Sequence, residues 1–442
     1  MNSRKALIFA SARLFGYRFP ALYADHLRAL SQDDLAHSAA SALSGILLHC
    51  KRSVPYYTEL MTGLTEHEII ATPKACLRTL PILTKDIIRA QFDRLKSSDL
   101  GTRTWYYNTS GGSTGIPIKL IQDKEYRSKV RAITMLFSHL AGREEGEPVL
   151  YLWGSEQDIL TSVGFGTRLS ALILNRANVN AFRMSPQRMR ECLERLGAKP
   201  PKLIIAYAQS LYELACFARR EGIKIARQNA AITSAGTLYE FMRQEIAGLL
   251  QCPVYNRYGS REVGDIACER PGMQGLWIAP WGNYVEAVGP SGVPQPAGID
   301  GDLLVTCLTN YAMPLLRYQI GDRGVLAGGN GLGGQVLTRV LGRSVDSFRL
   351  RDGTIVDGEY FTHLLYFREW IRKFQIVQRD YDAVIVKVEL TEGMKPPGDD
   401  LDEIAANTRA AMGQACRVNF EFLSEILPSP SGKFRFTISE VR

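Results

Sequence analysis

The run from Thr109 to Gly115 reads Thr109, Ser110, Gly111, Gly112, Ser113, Thr114, Gly115, and Lys119 follows it closely. Flexible backbone, hydroxyl groups and a nearby cation suit an anionic ligand, most often a phosphate. A Gly/Ser run standing alone serves equally as a solvent-exposed linker, so its neighbours must decide. Ser234, Ala235 and Gly236 lie between a strand pattern and a helix pattern. The stretch YNRYGSREVGDIA carries Tyr258, Gly259, Ser260, Arg261 and Glu262, and PLLRYQIGDRG carries Arg317 and Asp322. LGRSVDSF carries Arg343 and Asp346, and PSPSGKFRF places Lys433 near the C-terminus. As a set these residues suit nucleotide handling. Tyr258 can stack on a base, and Asp322 can accept from both ribose hydroxyls. Arg317 or Arg343 can offer forked donors to ribose or phosphate. Glu262 can hold Mg2+, which prefers hard oxygen ligands. Lys433, in a Pro/Ser/Gly loop, can neutralise charge at an α-phosphate. Taken singly, each also has an ordinary reading as a turn, an ion pair or an exposed side chain.

Such residues need a frame. The 442-residue chain is long enough for two or three domains and a large core. Its 45% hydrophobic and 22% charged content is that of a globular protein. Residues 1–100 read as helical: apolar residues recur at three and four through QDDLAHSAASALSGILLHCKRS, Pro55 interrupts, and Thr84 is placed to cap the next helix. From 101 to 342, strands and helices alternate (PVLYLW, PQRMRECLERL, KLIIAYA, SLYELACFARREG), the pattern of an α/β core with parallel strands. Residues 343–442 read as a small α+β domain, with a hairpin closing at Asp352–Gly353. The G-x-G-x-x-G match at Gly329 to Gly334 precedes a strand pattern, so it lacks the helix a dinucleotide fingerprint needs.

The net charge of +8 suits an anionic substrate but is too diffuse for nucleic acid. Eight scattered cysteines without a CxxC pair suggest a reducing cytosol. No apolar run is long enough for a transmembrane helix. The N-terminal segment reads as a helix packed on the protein, with a peripheral membrane surface as the alternative.

In order and spacing, these motifs resemble the adenylate-forming superfamily of acyl-CoA synthetases and adenylation domains. The resemblance is strongest to the phenylacetate–CoA ligase branch and to the CapK-like proteins of capsule and exopolysaccharide biosynthesis. TSGGSTG resembles the phosphate loop, YGSRE the aromatic-Gly-x-x-Glu motif and RYQIGD the ribose-binding motif. GRSVD resembles the hinge and SGKFRF the catalytic-lysine motif. The resemblance implies a large N-terminal domain and a small mobile C-terminal domain. It implies an ATP- and Mg2+-dependent, AMP-forming ligase that passes an acyl group from an adenylate to a thiol such as coenzyme A, or to an amine on an amino acid or amino sugar. Thr109 to Gly115 would hold the β- and γ-phosphates, and Lys433 would bridge carboxylate and α-phosphate. Trp153, Gly154 and Ser155 after one strand, and Tyr207 and Ser210 after another, would line the acid pocket, or else simply pack.

Three positions depart from the family. Arg261 stands where a small hydroxyl residue is usual, and would stabilise negative charge or pair with Glu262. Val345 stands at the usual pivot, moving that role to Ser344 or Asp346. Met273 and Trp277 stand where some relatives carry zinc-binding histidines, so no structural zinc is expected. A catalytically idle nucleotide-binding relative is the other class of answer, and Lys433, Asp322 and Glu262 weigh against it.

Overall fold

The computed structural model describes residues 2–31, 35–109, 118–153, 171–180, 186–234, 236–328, 334–343, 348–351, 355–356, 358–365, 368, 370–426 and 437–441. The helical start is built as its periodicity demands. Helix Leu35–Ser53 buries Leu43, Ile46, Leu47 and Cys50, at three- and four-residue spacing. Pro55 opens the next short helix at its first turn, where a missing N–H costs nothing. The Thr84 side chain accepts from the Ile87 amide and caps helix Lys85–Ala90. The first helix, Ser3–Leu14, buries Ile8 and Ala12 and ties Lys5 to Glu144, so one face packs on the protein. Leu7, Leu14 and Phe15 remain exposed.

A hairpin of strands β1 (Trp105–Thr109) and β2 (Lys119–Asp123) follows, in antiparallel register from Trp105↔Asp123 to Thr109↔Lys119. The main sheet then forms from β3 (Val149–Trp153), β4 (Arg176–Asn180), β5 (Leu203–Tyr207), β6 (Ala231–Ser234) and β7 (Val254–Ser260). It continues through β8 (Gly264–Cys268), β9 (Leu276–Ile278), β10 (Asn283–Val288), β11 (Asp300–Cys307), β12 (Tyr318–Leu326) and β13 (Val336–Arg343). Their order across the sheet is β10-β11-β12-β13-β9-β8-β7-β6-β5-β3-β4. From β4 to β7 the neighbours are parallel, and from β7 to β10 they are antiparallel. Strand β7 therefore belongs to both halves. Its carboxyl end lies where ligands enter parallel sheets.

The parallel strands are apolar throughout: Leu203, Ile204, Ile205 and Ala206 are all buried, as expected of strands covered by helices on both faces. The N-terminal helices close the antiparallel half instead. Leu43, Ile46, Leu47 and Leu77 share one core with Val285, Leu303, Val305 and Tyr318.

After β13 come the short pair β14 (Phe348–Arg349) and β15 (Ile355–Val356) and a second sheet. That sheet is built from β16 (Ile371–Asp380), β17 (Ala383–Leu390), β18 (Arg417–Phe422) and β19 (Thr437–Ser439), in the order β18-β17-β16-β19. Helices Gly358–Leu365 and Gly398–Met412 accompany it. This smaller domain packs on the large one through aromatic side chains. Tyr360 meets Tyr239 and Phe241 edge-on, with ring centroids 5.3 and 6.2 Å apart.

Candidate active site

The turn from β7 into β8 carries Gly259, Ser260, Arg261 and Glu262. It is tight. A Cβ on Gly259 would lie 2.7 Å from the Gly264 carbonyl oxygen, so only glycine fits there. The hairpin β1–β2 reaches this turn from elsewhere in the chain. Gln122 donates to the Arg261 carbonyl at 3.1 Å and accepts from Asn108 Nδ2 at 2.9 Å. The arms of the Gly/Ser loop are thus pinned beside the Glu262 turn, although the two motifs lie far apart in sequence. The Lys119 ammonium sits over the Tyr107 ring, 3.4 Å from its centroid. The Arg261 side chain is exposed.

Glu262 is 5% exposed, and the Tyr318 hydroxyl stands 3.5 Å from its carboxylate. One carboxylate of this kind, completed by phosphate oxygens and water, is a donor set that Mg2+ takes. On the neighbouring side, Tyr258 donates its hydroxyl to Asp322 Oδ2 at 2.6 Å. Asp322 follows Gly321, whose φ of +92° turns the strand in a way few other residues allow. Both side chains are half-buried, within reach of a ligand. Arg343 pairs with Asp322 across β12–β13 by backbone register, but its side chain lies outside the described set.

At the carboxyl ends of the parallel strands a second group forms. Tyr207 pairs with Ser234 across β5–β6. Trp153 is one step beyond the pair Leu152↔Ala206, and Arg257 is one step beyond Asn256, which pairs with Thr233. Trp153, Tyr207, Ser234 and Arg257 therefore form one lateral row. Trp153 and Tyr207 touch, with ring centroids 4.2 Å apart. The Ser210 hydroxyl is buried without a hydrogen-bond partner among the described residues. Arg257 went unnoticed in the sequence because it precedes the Tyr-Gly pair without belonging to a motif. The alternation of side chains along a strand was the signal that could have found it: Tyr258 faces Asp322, so Arg257 must project from the opposite face.

One expectation is corrected. Arg317 does not offer its fork to a ribose or phosphate. Its guanidinium pairs with Glu286 at 3.1 Å and donates to the carbonyls of Leu80 at 2.7 Å, Gly292 at 3.2 Å and Arg78 at 3.3 Å. It joins the N-terminal helices to the sheet. Burial pushes the Glu286 carboxyl up, and Arg317 opposes that shift. Ser110, Gly111, Gly112, Ser113, Thr114, Gly115, Gly154, Ser155, Ala235 and Lys433 lie outside the described residues, as do Ser344, Val345 and Asp346. Thr109 ends β1 at the base of the loop, and Gly236 follows the end of β6.

Comparison with known proteins gives this geometry a context. The family described as CapK C-terminal domain matches residues 349–440. Protein CapK of Staphylococcus aureus is 23% identical over 412 residues, spanning 89% of this chain and 87% of that protein. Phenylacetate–coenzyme A ligase of Escherichia coli K12 is 24% identical, spanning 83% and 85%. Among solved structures, a 2-hydroxyisobutyryl-CoA ligase in the postadenylation state matches with a TM-score of 0.60. It covers 92% of this chain and 89% of its own, at 16% identity. The chain is homologous to CapK and to phenylacetate–CoA ligase, and it has the fold of the adenylate-forming CoA ligases.

Proposed function

We propose that this chain activates a carboxylic acid with ATP as an acyl-adenylate and passes the acyl group to a thiol or amine. The observation that carries this reading is the convergence at the end of β7. The base of the Gly/Ser loop, the buried Glu262 carboxylate and the Tyr258–Asp322 pair all meet there. The carboxylate oxygen of the acid attacks the α-phosphorus, the bond to the bridging oxygen breaks, and pyrophosphate leaves. A nucleophile then attacks the acyl carbon, and AMP leaves with the electron pair.

Each group has a physical task. Asp322 accepts from the ribose hydroxyls while Tyr258 holds its carboxylate in place. Backbone and hydroxyls of Thr109 to Gly115 bind the terminal phosphates. Glu262 would hold Mg2+, which when bound would supply charge screening between the triphosphate and the carboxylate. Arg261, exposed on the same turn, would meet negative charge on the nucleotide. Lys433 supplies a cation between carboxylate and α-phosphate, on a small domain that must turn near Gly342 to Asp346 between the two steps. Trp153 and Tyr207 wall the carbon skeleton of the acid. Homology to the E. coli enzyme makes coenzyme A the first acceptor to try, and an amino sugar or amino acid the second.

Pyrophosphate exchange into ATP, measured with a panel of carboxylic acids, tests the reading. Exchange should depend on one class of acid. Lys433→Ala should cut it by about two to three powers of ten while ATP still binds. Exchange that ignores the acid, or is unchanged in that variant, would sink the assignment.

A further inference from the structure

Arg257 is a guanidinium in an unusual position. Its side chain is only 9% exposed. Its Nε stands 3.5 Å from Asp265 Oδ1 without making a hydrogen bond. Asp265 is held on its other oxygen by the Thr134 hydroxyl at 2.7 Å. Among the described residues, no nitrogen of the Arg257 fork donates a hydrogen bond. A buried Nε–H without a hydrogen-bond acceptor is costly, so such groups are normally paired. Arg317, similarly buried and one residue before β12, shows what saturation looks like, with a carboxylate and three carbonyls around it.

The surroundings say what the missing acceptor is attached to. Arg257 lies in the row with Trp153, Tyr207 and Ser234 at the carboxyl ends of the parallel strands, where an open sheet takes its ligand. The Trp153 ring centroid is 5.9 Å from the Arg257 guanidinium carbon, and Trp153 also touches Tyr207. An apolar wall thus runs up to a cation that donates no hydrogen bond to a described residue. The matching molecule has a carbon skeleton for the rings and, at its far end, a planar acceptor that can take two parallel N–H bonds. A carboxylate has that shape and charge.

Resting on the acid-activating reading, we infer that Arg257 selects the acid: the substrate is a dicarboxylic acid, one carboxylate reacting and the other seated on Arg257.

The test uses the full-length protein with aliphatic and benzene dicarboxylic acids, each beside its own monomethyl ester. ATP–pyrophosphate exchange should favour the accepted diacid over its ester by about ten- to a hundredfold in kcat/KM. Arg257→Met should collapse that ratio mainly through KM, and Arg257→Lys should restore part of it. A wild-type enzyme that accepts ester and diacid alike overturns the inference without any variant. Thermal stabilisation by the diacid in the absence of ATP separates this proposal from the reading it rests on. Stabilisation of wild type but not of Arg257→Met, with no exchange for any acid, would keep the binding site and remove the adenylate chemistry. Acid-dependent exchange for monoacids only, with no stabilisation by diacids, would do the reverse.

Discussion

Arg317 and Arg257 are nearly equally withdrawn from solvent, at 6% and 9% of the side chain, one leading into β12 and the other on β7. On the antiparallel half, Arg317 is ringed by Glu286 and three backbone carbonyls drawn from residues 78, 80 and 292. On the parallel half, Arg257 leans on Trp153 and stands at arm's length from Asp265. The first arginine holds the fold together. The second is shaped for something that arrives. A buried charge is not a functional signal by itself; the state of its hydrogen bonds separates the two cases.

Stability should break along this line first. Arg317→Met leaves the buried Glu286 with only Arg78, 4.0 Å away, and should destabilise by about 3–5 kcal/mol in denaturant unfolding. Pairing it with Glu286→Leu should recover most of that loss. Arg257→Met removes no hydrogen bond to a described residue but takes the cation from Asp265, which keeps its bond to Thr134, and should cost less, about 1–2 kcal/mol. Equal losses in the two single variants would erase the distinction. Asp322 sharpens it from another side, since it is paired by Tyr258 yet half-buried within reach of a ligand. Asp322→Ala should leave the unfolding midpoint nearly unchanged and raise KM for ATP about ten- to a hundredfold, from the loss of charged hydrogen bonds. A large stability loss with ATP affinity intact would make Asp322 another Arg317. Tyr258→Phe removes only the hydroxyl that steadies Asp322. It should raise KM for ATP about two- to tenfold, read from the same exchange kinetics.

The motifs themselves were legible. Local chemistry announces a Gly/Ser loop, a Tyr-Gly turn with Glu262 and a strand carrying Asp322. Periodicity located helix Leu35–Ser53, the break at Pro55, the cap at Thr84 and the apolar parallel strands. Arg317 misled because RYQIGD places an arginine close to a ribose-binding aspartate, and proximity along the chain resembles partnership. Its carbonyl partners are Arg78, Leu80 and Gly292, far away along the chain, so no window of sequence contained them. Arg257 was passed over for the complementary reason. Strand alternation would have put it on the face opposite Tyr258, but the buried Nε without a hydrogen bond among the described residues leaves no trace in a sequence.

The sequence by itself determined the chemical inventory and the order of elements, because hydrophobic period, capping and turn residues act over a few positions of chain. It also carried the resemblance that pointed to acid activation. The tertiary structure alone decided which charges are spent and which are kept. It made β7 the strand shared by the parallel and antiparallel halves, and so brought Tyr258 to Asp322 and Arg257 to Trp153. It brought Gln122 to the Glu262 turn and gave Arg317 its ring of carbonyls. Those outcomes depend on long-range pairing, where the acceptors offered to a donor are fixed by strands and helices that meet only once the sheet has closed.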